Sequence, residues 1–182
     1  MHDVSLALRS GDSKKYSVVF YYLKLAIDNK NTDISRNYAD KYVLGFMDII
    51  RKITNEVHRM KGMLRFSETV SGFLYAHYEP DNDVTELIIP HFFKRLGKSY
   101  PFMIHDTKRN IVGLSNGNET MVFNAGDRRI DVYLTREESE FIELWRTYYD
   151  SVNIKERKNL KLMGHYLPKK YWKNLPEKNR DL

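Results

Sequence analysis

Between residues 15 and 28 the apolar positions Tyr16, Val19, Phe20, Leu23 and Ile27 recur at spacings of three and four, which predicts a helix. A polar break over 29–32 separates it from a longer helix over about 35–60. The stripe of that second helix is Tyr38, Tyr42, Phe46, Ile49, Ile53, Val57 and Met60, and Gly62 is its expected stop. The period then shortens to two. Residues 63–68 and 72–79 read as strands around the turn Thr69-Val70-Ser71, ahead of Gly72. Phe73, Tyr75 and His77 alternate there with Leu74, Ala76 and Tyr78 until Pro80 ends the run. Asp83 and Glu86 have capping-box spacing and open a helix to Leu96, with Gly97 after it and Pro90 predicting a kink or a late start. Strands follow over 102–105, 110–114 and 119–124, the last two joined through Asn116-Gly117-Asn118, with one more short strand over 130–134.

Thr135 and Glu138 form a second capping box, and Phe141, Leu144, Trp145, Tyr148 and Val152 give the following helix an apolar face. Asn153 and Glu156 repeat the signal for a segment closed by Gly164. Pro168 opens a last short helix that carries Tyr171 and Trp172 and ends before Pro176. The pattern as a whole predicts an α+β fold: an antiparallel sheet interrupted by one helix and flanked by N-terminal and C-terminal helices. Residues 1–182 are expected to form a single domain, with 151–182 as a basic helical segment packed on it or extending from it.

Composition narrows the class. Hydrophobic residues make up 42% of the 182, enough for a globular core. No apolar run approaches the length of a bilayer span, and residues 1–12 lack the apolar segment of a signal peptide. The chain has no cysteine, which rules out disulfides and zinc–thiolate clusters. A cytoplasmic setting without membrane contact is the expectation. The net charge is +6, and residues 151–182 alone hold nine Lys/Arg against three Asp/Glu, so the rest of the chain is balanced. A basic segment on a neutral body suits a polyanionic partner, although solvated charge runs are common.

Four constellations could carry chemistry. The first is the expected helix–strand junction, with His58, Arg59, Lys61 and Arg65. Glu56 is placed to offset Lys52 and Arg59 at helical spacing, and His58 and Arg59 also suit the negative end of a helix. Lys61 and Arg65 are expected beyond the helix, where arginine grips phosphate with two parallel hydrogen bonds and Phe66 offers a ring to a base. The second is His91, Lys94 and Arg95, of which His91 and Arg95 share a helix face. The third is His105-Asp106-Thr107-Lys108-Arg109, where Asp106 is either an acid–base carboxylate or, with more weight, the cap of an Asx-turn. The fourth interleaves basic and aromatic residues from Lys155 through Arg157, Lys158 and Asn159 to Lys169-Lys170-Tyr171-Trp172-Lys173, which suits a nucleic-acid strand. The bland reading of that segment is that Tyr171 and Trp172 dock it on the core while its lysines stay in solvent. No glycine-rich phosphate loop, nucleophile elbow or metal-ligand pair is present, so no cofactor or metal is expected.

The order of five short motifs carries a resemblance. They are Glu56-Val57-His58-Arg59-Met60-Lys61-Gly62 with Arg65-Phe66; Tyr75-Ala76-His77-Tyr78-Glu79-Pro80; Pro90-His91-Phe92-Phe93-Lys94-Arg95; Ile104-His105-Asp106-Thr107-Lys108-Arg109; and Leu144-Trp145 followed by Ile154-Lys155-Glu156-Arg157-Lys158-Asn159. From Tyr16 to Trp172 the chain resembles a family of DNA repair or DNA metabolism proteins defined by domain of unknown function 4130. Members are associated with a radical-SAM partner protein, and the domain also occurs joined to uracil-DNA-glycosylase-like domains. The resemblance implies a role in DNA repair or modification as the DNA-engaging partner of an enzyme, and it supplies no mechanism. It marks His58, Arg59, Lys61, Arg65, His91, Arg95, Asp106, Arg109, Arg157 and Asn159 as the polar residues to test. The chain departs from the family pattern in lacking much of its N-terminal region. It also has Phe93 and Phe102 where a small residue and a tryptophan are expected.

Three functions stay open on the sequence, in this order: a nucleic-acid-binding module in DNA repair; an enzyme on a damaged or modified nucleotide, with Asp106 or His91 as acid or base; and a protein-interaction module docked by its basic tail.

Overall fold

The computed structural model describes residues 2–30, 33–154, 157 and 159–179. The chain divides into two compact units, residues 1–62 with 80–88, and residues 63–79 with 89–182. Along the chain, helices precede and follow the strands of a five-stranded sheet, as the α+β expectation has it.

The first unit holds α1 (His2–Leu8), α2 (Lys15–Asp28), a 3-10 turn (Ile34–Arg36) and most of α3 (Lys41–Met63). The short helix α1 has no counterpart in the periodicity. α2 has the expected bounds, yet only Val19 of its stripe is buried, and Tyr16, Phe20, Leu23 and Ile27 are exposed. α3 starts later than expected and runs through Gly62, so Lys61 lies in its last turn and not beyond the helix. A glycine in a helix costs only about 1 kcal/mol against alanine, too little by itself to end one. Val43, Phe46, Ile49, Ile53 and Met60 face the core. Tyr22 stacks on Phe46 with ring centroids 3.8 Å apart, and Tyr21 stacks on Tyr42 at 4.4 Å.

Glu56 is the main correction to the sequence reading of α3. It sits on the buried face and is only 3% exposed, and so is not the solvent-facing residue that its spacing with Lys52 and Arg59 suggested. Its carboxylate accepts from the backbone N–H of Asp81 at 2.8 Å, the N–H of Asn82 at 2.8 Å and the Asn82 side-chain amide at 2.6 Å. The loop after Pro80 would otherwise bury those donors without partners, so the carboxylate is what the loop folds around.

The second unit holds β1 (Ser67–Glu68), β2 (Leu74–Tyr78), β3 (Phe102–Asp106), β4 (Ile111–Ser115) and β5 (Thr120–Asn124), paired in that order. β1–β2, β3–β4 and β4–β5 are antiparallel, whereas β2–β3 is parallel, so the sheet is mixed and not antiparallel throughout. The reason is the connection: α4 (Thr85–Leu96) crosses between β2 and β3, and a helical crossover returns the chain in the same direction. α4 is continuous through Pro90 and starts after the Asp83 cap position, while Glu86 pairs with Arg9. Gly97, at φ +65, receives the chain at the end of α4, and its N–H donates to the Phe93 carbonyl at 3.0 Å. Ala76, Tyr78, Phe92, Phe102, Ile104 and Val112 are buried, and Phe66 meets Phe92 and Phe102 edge-on. Residues 130–134 form no strand; Leu134 makes a single bridge to Thr69.

Three elements close the chain: α5 (Arg136–Val152), α6 (Leu160–Tyr166) and a 3-10 helix (Lys169–Asn174). Thr135 caps α5 by accepting from the Glu138 N–H at 3.1 Å. No residue of α5 is buried, so the predicted apolar face is exposed, with Phe141 at 61% and Leu144 at 68%. α6 is capped by Asn159, and Gly164 lies inside it instead of closing it. The Asn153–Glu156 capping signal falls partly on Glu156, which, like Lys155 and Lys158 of the basic segment, lies outside the described residues. Tyr171 and Trp172 are buried, and the indole N–H of Trp172 donates to the Leu167 carbonyl at 2.9 Å.

Candidate functional site

The alternation of β2 puts Tyr75 and His77 on one face of the strand. They line a cleft of about 310 Å³ in the second unit. Arg65 and Ser67 come from the approach to β1 and from β1 itself, Ile142 and Arg146 from α5, and Lys173, Asn174, Pro176 and Asn179 from the C-terminal segment. A second groove of about 300 Å³ is lined by Phe66, Phe141, Trp145 and Glu138, and it shares Arg65, Ser67, Ile142 and Pro176 with the cleft. A basic cleft thus adjoins an aromatic groove, with Arg65 lining both.

The cations are held by named partners. Arg65 donates to the Met63 carbonyl at 3.1 Å and to Glu177 at 3.3 Å. Glu177 also accepts from the Trp145 indole N–H at 3.3 Å. Arg146 pairs with Glu143 and donates to the Pro176 carbonyl at 3.0 Å and to Asn179 at 2.9 Å, which fixes the turn after the 3-10 helix against α5. Lys173 pairs with Glu79 at 2.6 Å, with both side chains solvent-accessible at 48% and 39%. Such an exposed pair is worth about 0–1 kcal/mol, so an entering anion can exchange for Glu79 at little cost. The side-chain nitrogen of Asn174 is buried without a hydrogen-bond partner among the described residues, and Asn174 lines the same cleft. A donor in that state favours any ligand that brings an acceptor oxygen.

The floor carries a polar relay. The Tyr75 hydroxyl lies 3.0 Å from His105 Nδ1, and His105 Nε2 lies 2.8 Å from Asn110 Oδ1. His105 on β3 is the register partner of His77 on β2. Burial pushes the Tyr75 phenol up from its ordinary pKa. Desolvation, followed by the neighbouring His105, pulls His77 down, and Glu79 opposes this.

Of the residues singled out by sequence, Arg65 alone lines the cleft and the groove. His58, Arg59 and Lys61 lie on α3 in the first unit. His91 and Arg95 lie on α4, with His91 edge-on to Phe92. Asp106 is fully buried and accepts from the N–H groups of Lys108 and Arg109 at 3.0 and 3.2 Å and from the Arg109 guanidinium at 3.0 Å. This is the turn cap between β3 and β4. Burial raises the Asp106 pKa, and the bonds and charge of Arg109 oppose the rise. Arg157 and Asn159 line a third cavity with Tyr149, Tyr166 and Lys178, and Asn159 Oδ1 is engaged as the α6 cap. Lys173 belongs to the basic–aromatic segment singled out by sequence, whereas Tyr75, His77, Arg146 and Asn174 were not among the expected site residues. Strand alternation carried the signal for Tyr75 and His77; no local pattern marks Arg146 or Asn174.

Among the described residues no cluster of His, Asp or Glu could hold a metal ion, and no helix is long and apolar enough to cross a membrane. The sequence profile of a domain of unknown function, DUF4130, matches residues 13–177. The chain belongs to that family. No curated protein and no solved structure matches it.

Proposed function

We propose that this DUF4130 member binds nucleic acid through the cleft and groove of its second unit, and that the polymer is DNA undergoing repair or modification. The observation that carries the reading is the junction at Arg65 of a basic cleft and an aromatic groove lined by Phe66, Phe141 and Trp145. Phosphate suits Lys173, Arg65 and the unpaired Asn174 amide, and a base suits the rings, where stacking is worth about 1–3 kcal/mol per base. The family resemblance supplies the DNA setting and a partner enzyme such as a radical-SAM protein. His58, Arg59, Lys61, Arg95, Arg109, Arg157 and Asn159 are proposed as further backbone contacts. Within the enzyme alternative, Asp106 and His91 are weak candidates for acid–base work. Asp106 is committed to its turn, and neither residue is among those lining the three cavities described.

Anisotropy of labelled single- and double-stranded oligonucleotides against salt tests the reading. Affinity should fall steeply with salt, and Lys173→Ala should reduce the log–log slope by about 0.9. Trp145 fluorescence should be quenched on binding, and Trp145→Ala should weaken binding with no change in slope. Salt-insensitive or absent binding refutes the reading. Protein docking is the second reading, favoured by the exposed Phe141, Leu144 and Tyr148 on α5. It is supported instead if a pull-down survives nuclease while the isolated chain binds no DNA.

A further inference from the structure

We propose that Tyr75, His105 and Asn110 form a nucleophile–base–orienter relay, in which the Tyr75 hydroxyl attacks a phosphodiester held in the cleft and becomes joined to one DNA end. The proposal rests on the nucleic-acid reading above and adds an activity to it.

The hydrogen positions of the relay follow from its heavy atoms. The Asn110 side-chain nitrogen donates to the carbonyls of Gly126 at 2.6 Å and Arg128 at 2.9 Å, which uses both of its hydrogens. Its oxygen therefore faces His105 Nε2 and can only accept, so Nε2 carries the imidazole proton. In the neutral ring, Nδ1 is then a lone pair, and it faces the Tyr75 hydroxyl at 3.0 Å. The phenol donates to it. A nucleophile bonded to a base whose far nitrogen is fixed by a third group is the arrangement that activates serine and cysteine nucleophiles. Asn110 sits at φ 52, the left-handed region that non-glycine residues rarely occupy. It closes the turn between β3 and β4, a position where asparagine tolerates that conformation, and the turn fixes its side chain beside His105. The turn accounts for the backbone of Asn110, but pairing the strands does not require the two side-chain bonds to His105. A tyrosine edge packs without a histidine, and a histidine on a strand needs no asparagine to choose its tautomer.

The step balances within the residues present. The Tyr75 Oη–P bond forms as the P–O bond to the leaving sugar breaks. The phenol proton moves to His105 Nδ1, and the resulting imidazolium keeps its Nε2–H on Asn110. The leaving alkoxide takes a proton from solvent water, and the hydroxide so formed is neutralised by the proton on His105; His77, as a neutral imidazole, lines the cleft 5.9 Å from Tyr75 between ring centroids, where it can orient that water. Lys173 and the Asn174 amide face the charge that grows on the phosphate oxygens. The transfer exchanges one phosphodiester for another and needs no oxidant or reductant. The reverse step, or water activated by His105, frees the enzyme. Burial of Tyr75 keeps it a neutral phenol until a base in contact removes the proton, which is the task His105 is placed to do.

The full chain is incubated with labelled single-stranded, duplex and nicked DNA, and the products are run on a denaturing gel. Separately, a p-nitrophenyl ester of thymidine monophosphate serves as a probe whose leaving group needs no acid. The expected result is a covalent protein–DNA band, a burst of about one equivalent of nitrophenolate, and phosphotyrosine at Tyr75 by mass spectrometry. Tyr75→Phe should abolish all three, and His105→Gln should slow the burst by about 100-fold or more. Imidazole nitrogen shifts should show His105 protonated at Nε2, a readout independent of turnover. Normal DNA binding with no adduct and no burst overturns this proposal and leaves the binding reading intact. Absent DNA binding overturns the binding reading. A His105 protonated at Nδ1, or an adduct that survives Tyr75→Phe, overturns the relay.

Discussion

Replacing Glu56 by glutamine decides between two accounts of α3. In the structure both carboxylate oxygens are used, one by the Asp81 N–H and the other by the two donors of Asn82. A glutamine keeps one acceptor. Turned toward Asn82, it brings its own NH2 against the Asp81 N–H, donor to donor. One charge-assisted bond to a part-buried donor is lost, at about 1–3 kcal/mol. Two further bonds fall from ionic to neutral strength, at about 1 kcal/mol each. Relief from burying a charge returns part of this, so the expected loss is about 2–4 kcal/mol. Were Glu56 instead a surface partner of Lys52 or Arg59, the change would cost about 0.5 kcal/mol or less. Urea unfolding followed by far-ultraviolet circular dichroism measures the loss, and amide hydrogen exchange at Asp81 and Asn82 localises it. A loss under about 0.5 kcal/mol with both amides still protected would refute the buried-carboxylate account.

Two more outcomes follow from geometry. Gly117→Ala should cost about 2–4 kcal/mol in urea unfolding, because a Cβ there meets the Lys98 carbonyl oxygen at 2.6 Å and the residue has φ +89. Gly72→Ala, at φ +78 with open space around it, should cost only about 1–2 kcal/mol, and equal losses at the two sites would count against the close approach. His77 should titrate below the ordinary histidine value in an NMR series. The unfolded chain then takes up the proton first, so stability should fall as pH drops through the unfolded value of about 6.5 and level off below the folded pKa. His77→Gln should remove that part of the slope, and a titration above the ordinary value would contradict the shielding.

The sequence by itself determined where most elements lie. Spacings of three and four located α2, α3 and α5, alternation located β2, and Gly97, Thr135 and Pro168 marked ends that the structure keeps. These signals are local, arising from backbone geometry and from hydrogen bonds between near neighbours. The same signals did not reveal what covers each face. The stripes of α2 and α5 are periodic yet exposed, because a period specifies a helix but supplies nothing for it to pack against. Nor did they show that Glu56 turns inward, since its partners, Asp81 and Asn82, arrive from a different segment. Arg65 was legible as a cation beside an aromatic ring. Lys173 looked like one lysine in a basic tail, and His105 like a neighbour of Asp106. Only the tertiary structure put Tyr75 against His105, His105 against Asn110, and Lys173 and Asn174 into the cleft with Arg65. Apart from the short-range His105–Asn110 bond, these are contacts between residues far apart in the chain, and a contact of that kind leaves no period in the sequence.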